Sequence, residues 1–442
     1  MKRNILTVFL ALALIFTLTS CTSPQKNPDG QTQSGGRSII ISAEAMYNEA
    51  AMLDYEEYFI RPLQESFPDD EISYQSFADR QSLQVQVAAG AGPDILHLDG
   101  PTDAVEFYKA DRIIALDKYA RQYGWADLFY EWAYGAGYYD GKLISLPNSF
   151  EGMVMYYNEN VFAENGWSYP ANMNELVTIM DDAKSKGIVA IAFGNSDYQG
   201  AVDWLYSTFM SCYPGPDELK KALEGETRVD EGLVLESMEL MQDWWEKGYF
   251  SDGKSMAMSW DDMIAMFADG RAAMMINGTW ATYSLQITYE ADWIADAVPE
   301  LRPGAGRIVP LATGGAYVIN AAGKNHDFAA EVLNQIFADT QSHLKAVDEA
   351  YFQPYPIKAF DVSKMTSWDP KVSDLYNDLI AAMQTNHVGF CAWTFFPSDM
   401  RVYMNENTDN MFLRNLTPKA FMTGAQAFLD QALADGTAPT IP

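Results

Sequence analysis

The chain has 442 residues, with 29 Lys and Arg against 60 Asp and Glu, for a formal net charge of −31. A body this acidic repels nucleic acid and anionic lipid headgroups, which argues against nucleic-acid binding and favours solubility. Hydrophobic content of 48% with 20% charged residues fits a globular core, the length suggests two or three domains, and four His and three Cys in no cluster leave no zinc site visible.

Met1 is followed by Lys2 and Arg3, an uncharged run from Ile5 to Thr19, and then Ser20-Cys21. A basic start, a short apolar stretch and small residues before a cut are the parts of a secretory signal. The stretch is short for a span, which takes roughly 20 apolar residues. Its small-small-Cys ending resembles the lipobox of bacterial lipoproteins, in which cleavage before the Cys leaves it carrying lipid (palmitate among the acyl chains) on its thiol and new amino group. An ordinary signal peptide with a chance Cys is the plainer alternative. The reading assigns residues 1–20 to a signal peptide and Cys21 to lipidation. Loss of Lys2 and Arg3 with the signal takes the charge to −33. Residues 22–37, TSPQKNPDGQTQSGGR, hold no large apolar residue, so they cannot offset their ordering entropy by burial. They are expected to form a tether reaching ~20–25 Å, placing the mature body on the extracytoplasmic face of a cell membrane, held by its lipid anchor only.

Ser38 to Ser42 is a β-branched run and a predicted strand. A helix is predicted from Ala50 to Phe67, with a kink expected at Pro62. Ile72, Tyr74 and Ser76 alternate with polar partners as a second strand. Arg80 to Ala89 reads as a helix stopped by Gly90, and Asp94 to Leu98 as a third strand. Strand and helix alternate, which implies βαβαβ and a parallel sheet. Further on, Asn172 with Glu175 opens a helix of the capping-box type, closed by Gly187 before a strand from Ile188 to Phe193. Asn325 to Thr340 carries an apolar stripe, and Thr417-Pro418 caps a terminal helix. Cys212 and Cys391 are open to two readings, a disulfide or two buried thiols.

Ligands in open α/β sheets sit beyond the carboxyl ends of the strands. Those ends carry Glu44, Asp79, Arg80, Asp99 and Asp103. Carboxylates accept hydroxyl hydrogens, which suits a neutral polyol. Trp204, Trp260 and Trp393 lie in the polar contexts VDWLY, SWDD and CAWTFF, placed either as cleft walls or as core. Trp244-Trp245 falls on a predicted helix and reads as core or lobe surface. Gly90-Ala91-Gly92 is no phosphate loop, since GK[ST] is missing and Pro93-Asp94 opens a strand. The Met group at Met256, Met258, Met263, Met266, Met274 and Met275 reads as core filling rather than an adaptable surface.

Four segments together carry a resemblance. They are Ala88-Ala-Gly-Ala-Gly-Pro-Asp-Ile-Leu96; Leu146-Pro147 followed by Glu151-Gly-Met-Val-Met-Tyr-Tyr-Asn158; Phe267-Ala-Asp-Gly-Arg-Ala-Ala-Met-Met-Ile-Asn-Gly-Thr-Trp280; and Gly314-Gly315 before Tyr317 to Asn320. In this order the chain resembles the extracellular solute-binding proteins of bacterial ABC importers, in the cluster of maltose- and oligosaccharide-binding proteins. At Pro170-Ala-Asn-Met-Asn-Glu-Leu176 it departs from the family pattern by lacking a Trp. The resemblance implies an α/β, two-lobed, periplasmic-binding-protein-like fold with a ligand cleft between hinge-connected lobes. Residues 38–149 and 311–354 would form one lobe, and 150–310 and 355–442 the other, with crossings near 148–151, 301–311 and 353–356. It also implies that Glu151 contacts sugar and that Trp280 packs on a sugar face, against the plainer roles of hinge carboxylate and core ring.

The function so implied is extracellular binding of a carbohydrate, an oligosaccharide by family, and its delivery to ABC transporter permease subunits by lobe closure, by a monomer with no cofactor, no metal and no catalysis. The ligand-binding set is Glu44, Asp99, Glu151, Trp204, Trp260, Trp280 and Trp393. Two other readings are a secreted glycosidase, which needs paired carboxylates, and a sugar sensor partnered with a membrane kinase.

Overall fold

In a computed structural model of the protein, the described residues are 36–43, 49–77, 80–385 and 388–441. The signal segment, Cys21, the tether up to residue 35, Glu44 and Asp79 lie outside them.

The run Ser38–Ser42 forms a strand paired in parallel with Glu71–Gln75, Ser38 opposite Glu71, and with Ile95–Leu98 through Ile41 and Ile95. Those three strands are the expected parallel unit. The sheet is mixed, however, because Ala316–Ile319 and then Leu146–Pro147 extend it antiparallel, in the order 71–75, 38–42, 95–98, 316–319, 146–147. The helix predicted over 50–67 is divided into Glu49–Tyr55, a wide turn Glu56–Ile60 and Arg61–Ser66. Pro62 has no N–H and its ring crowds the carbonyl four residues back, and a π-type turn just ahead relieves that conflict.

A second sheet is ordered Val388–Phe390, Val309–Thr313, Phe150–Asn158, Ala272–Gly278, Val189–Ala192, with Trp293–Asp296 pairing the far half of Phe150–Asn158. All nine residues of Phe150–Asn158 are buried. Its third residue is Gly152, where a Cβ would come 2.7 Å from Val309 and 2.9 Å from Leu379. Asn158 ends the strand and starts the next helix at once. Its Oδ1 accepts from Val161 N at 3.0 Å while its Nδ2 donates to Phe267 O at 2.8 Å.

Each sheet has its own apolar core, with Ile39, Ile41, Ile95, Ile319 and Phe337 in one and Met155, Ile191, Phe209, Met274 and Leu311 in another. The chain passes from the first sheet to the second at Asn148-Ser149 and back at Gly314-Gly315, between strands 309–313 and 316–319. Cys212 and Cys391 are separate buried thiols, both raised in pKa by burial. Trp244 is core against Phe209, and Trp245 stacks on Phe412 at 5.3 Å. Among the described residues no helix is long and apolar enough to cross a membrane.

Candidate functional site

The strand Phe150–Asn158 begins at the passage between the sheets, so its second residue, Glu151, sits there too. Glu151 is 5% exposed, and its Oε1 accepts from Trp393 Nε1 at 3.2 Å. Gly314 faces it from the returning segment, where a Cβ would lie 2.2 Å from Glu151 Oε2 and 2.3 Å from Ser149 Oγ. The carboxylate is therefore wedged between the two crossings.

Three more tryptophans gather beside Trp393. The strand Ala272–Gly278 ends in Gly278-Thr279-Trp280, and the Trp280 ring folds back over Gly278, where a Cβ would be 2.0 Å from the ring. Only glycine permits that close approach. Ring centroids lie 5.9 Å apart for Trp280 and Trp393, 5.5 Å for Trp280 and Trp204, and 5.5 Å for Trp204 and Trp260. Trp204 sits on the helix Val202–Cys212, which is buried along its whole length. Trp260 starts the helix Trp260–Ala268, held by a capping box of Ser259 and Asp262 and by its N–H donating to Asp197 Oδ1 at 3.0 Å. Trp260 and Trp280 keep part of their surface open, whereas Trp204 and Trp393 are buried.

Asp99 follows the strand Ile95–Leu98 and is half-buried. Gly100 next to it abuts Trp393, whose carbonyl oxygen would be 2.6 Å from a Cβ. The charge of Asp99 reaches Tyr198 and Asp203, since it helps raise both of their pKa values after burial itself. Burial lifts the Asp203 carboxyl to about 6 against the pull of Arg401. The Tyr198 phenol stays neutral, and its ring lies 6.0 Å from Trp204.

Of the seven residues picked from sequence, Glu151, Trp204, Trp260, Trp280 and Trp393 form one connected group, Asp99 joins it electrostatically, and Glu44 lies outside the described residues. Sequence reading missed Tyr198, Asp203 and Arg401. Asp203 had a signal, a carboxylate directly before Trp204 in an otherwise apolar helix; Arg401 had none. Among the described residues no group of three His, Cys, Asp or Glu is placed to hold a metal ion. A groove of about 710 Å³ opens elsewhere, near Arg37, Lys118 and Gln335. Its charges are already paired, Lys118 with Asp327 and Arg37 with Glu331, so it offers no comparable chemistry.

Chemically, the group joins flat apolar rings to acceptor carboxylates. Rings cover C–H faces at low entropic cost, and carboxylates take hydroxyl hydrogens.

The two sheets, each with its own core and joined at a cleft-side passage, define a two-lobed binding fold of the maltose-binding type. A family model of bacterial extracellular solute-binding proteins matches residues 69–370, and the chain belongs to that family. A probable sugar-binding periplasmic protein of Brucella suis is 28% identical over 204 residues, covering 45% of this chain and 46% of that protein. The chain thus spans about half the length of such curated relatives. A diacetylchitobiose binding protein of Streptomyces coelicolor is 20% identical over 372 residues, 76% of this chain and 77% of that one. Among solved structures, a chitin oligosaccharide binding protein superposes with a TM-score of 0.75 at 20% identity, covering 90% of this chain and 99% of its own. Maltose-bound MalE3 of T. maritima gives 0.69 at 19%, covering 90% and 100%. At such identities the structural likeness speaks for the fold.

Proposed function

We propose that the protein captures a carbohydrate in the cleft between its lobes and delivers it to the permease of an ABC transporter. The grouping of Trp204, Trp260, Trp280 and Trp393 around Glu151 at the passage between the sheets carries this reading. Trp260 and Trp280 offer ring surface to a sugar face, and Asp99 and Glu151 accept its hydroxyls. The lobes divide at Asn148-Ser149, at Gly314-Gly315, which lies beyond the crossing expected near 301–311 because Val309–Thr313 still belongs to the second sheet, and near 353–356. Ligand that touches both lobes favours the closed arrangement by its differential affinity for it, and the permease reads that arrangement from the rims. Cys21 anchors the protein by lipid, and residues 22–37 leash it to the membrane. The sugar-binding relatives support the ligand class, and the family supports the transport role.

The test is a thermal-shift screen of the protein with diacetylchitobiose, maltose and maltodextrins, xylo-oligosaccharides and monosaccharides, against amino acids, short peptides and polyamines. A ligand at 100 times its Kd adds roughly 2.7 kcal/mol to folding stability, a visible shift. A sugar hit supports the reading. A peptide or polyamine hit with silence from every sugar discards the carbohydrate assignment and keeps the fold.

A further inference from the structure

Arg401 lies on the helix Ser398–Phe412, which packs on the second lobe against Val202–Cys212 and the terminal helix Pro418–Asp435. It is 4% exposed. Its Nε donates to Asp203 Oδ2 at 2.9 Å. Asp203 itself is 1% exposed, at the start of a helix of the second lobe. The other arm of the guanidinium points away from that lobe. Nη1 donates to Asp103 Oδ1 at 2.7 Å and to Thr102 Oγ1 at 3.2 Å. Thr102 and Asp103 open the helix Pro101–Lys109, which packs on the first sheet against strands 95–98 and 316–319. The Thr102 hydroxyl accepts from Arg401 and passes its own hydrogen to Trp393 O at 3.0 Å, so the same cluster reaches a cleft tryptophan.

We propose that Arg401 is an interlobe latch: a cation anchored on the second lobe by Asp203 and locked onto Asp103 and Thr102 of the first, which holds the cleft closed before any solute arrives. Burial sets it apart from another cross-lobe ion pair, Lys109 with Asp399. The Lys109 and Asp399 side chains are 44% and 59% exposed, and an exposed pair of that kind contributes little. Arg401 and both of its carboxylates are buried, where their attraction is screened far less than that of an exposed pair. Opening the cleft by moving the first lobe away would leave Arg401 paired to Asp203 and separate it from Asp103 and Thr102. The latch therefore shifts the open–closed equilibrium toward closed. A solute that binds the closed arrangement better gains apparent affinity as the closed fraction grows. The inference needs the two-lobed fold and is independent of which solute the cleft takes.

The experiment measures the interlobe distance in the mature chain carrying Cys21→Ser, without ligand, by double electron–electron resonance. Spin labels go on Leu53→Cys and Leu413→Cys, both positions being exposed, while buried Cys212 and Cys391 escape labelling. The parent protein is expected to populate a short distance matching this structure. Asp103→Asn, which removes the charge and keeps the shape, should raise the ratio of long to short distances at least fivefold. Thr102→Val should raise it in the same direction by a smaller factor. Identical distance distributions in the parent and in both variants, with cooperative melts, would overturn the latch. If Asp103→Asn fails to fold cooperatively, Thr102→Val alone decides, and no change in it counts against the proposal.

Discussion

His343 should make the protein acid-sensitive in a calculable way. It lies on the helix Thr340–Ala350 with 5% exposure, and its ring stacks on Tyr355 at 3.3 Å with the planes 7° apart. Its Nε2 accepts the Tyr355 N–H at 2.9 Å, so the imidazole is held neutral with that nitrogen as acceptor. Burial lowers its pKa from 6.5 to about 3. The unfolded chain therefore takes up the proton first as pH falls. The stability from keeping this ring neutral is fully present above the unfolded value, declines below about 6.5, and is gone once the folded value near 3 is passed. At 1.36 kcal/mol per pH unit, the loss is ~2 kcal/mol at pH 5 and approaches ~5 kcal/mol near pH 3. Asp203, raised to about 6, works the other way, because the folded state then binds the proton more tightly and acidification through 6 favours folding. Its contribution cancels when two proteins with the same Asp203 are compared. The comparison is with His343→Gln, whose amide oxygen can still accept from Tyr355 N–H and does not titrate. Urea unfolding at pH 7.5 and pH 5.0 should show the parent losing ~2 kcal/mol more than the variant. Equal losses in the two proteins would refute the account. Tyr355 borders the segment whose Pro354 O accepts from Phe150 N at 2.9 Å, so the acid-labile point lies beside the passage between the lobes.

Trp280→Ala should weaken binding of any sugar found in the screen by at least tenfold while barely moving the melting temperature, as the ring is partly open; titration calorimetry settles it, and unchanged affinity would make the ring structural. Gly314→Ala drives a methyl group to 2.2 Å from Glu151 Oε2, for which the protein should lose ~1–3 kcal/mol and change its tryptophan fluorescence as the Trp393–Glu151 bond is displaced. An unaltered melt and spectrum would mean that the crossing relaxes freely. Cys21→Ser should move the protein from the membrane fraction to the soluble one; retention in the membrane fraction would sink the lipid-anchor proposal.

Much of the local structure was legible because it depends on neighbours in sequence. Ser38–Ser42 is a strand over its predicted range. Asn172 caps Met173–Ser185 by accepting from Asn174 N and Glu175 N. Glu175 reaches back to Ala171 N, one residue before the cap, at 2.8 Å, so the helix start holds without the missing Trp. Thr417 caps the terminal helix by accepting from Ala420 N. What eluded the sequence is set by distant segments. The antiparallel half of the first sheet depends on Ala316–Ile319 returning through Gly314-Gly315. Nothing near Arg401 indicates that its carboxylates lie 198 and 298 residues away. The tryptophans were individually ambiguous between core and cleft, and what the sequence could not show is that four of them meet in one cluster. Trp204 and Trp393 are buried, Trp260 and Trp280 partly open, and neighbouring centroids lie within 6 Å.

The order of strands in the first sheet has a consequence for how the chain is made. Ala316–Ile319 lies between Ile95–Leu98 and Leu146–Pro147, so a chain emerging from its N-terminus has a missing central strand until residue 319 is out. The second sheet waits longer still, for Val388–Phe390 at its edge. Neither half can close as an early unit, and pairings this distant in sequence form slowly because loop closure precedes their reward. Until then Ile95–Leu98 presents an open edge, the kind of strand that recruits foreign partners. The connectivity itself thus postpones completion of either sheet until most of the chain is available to fold.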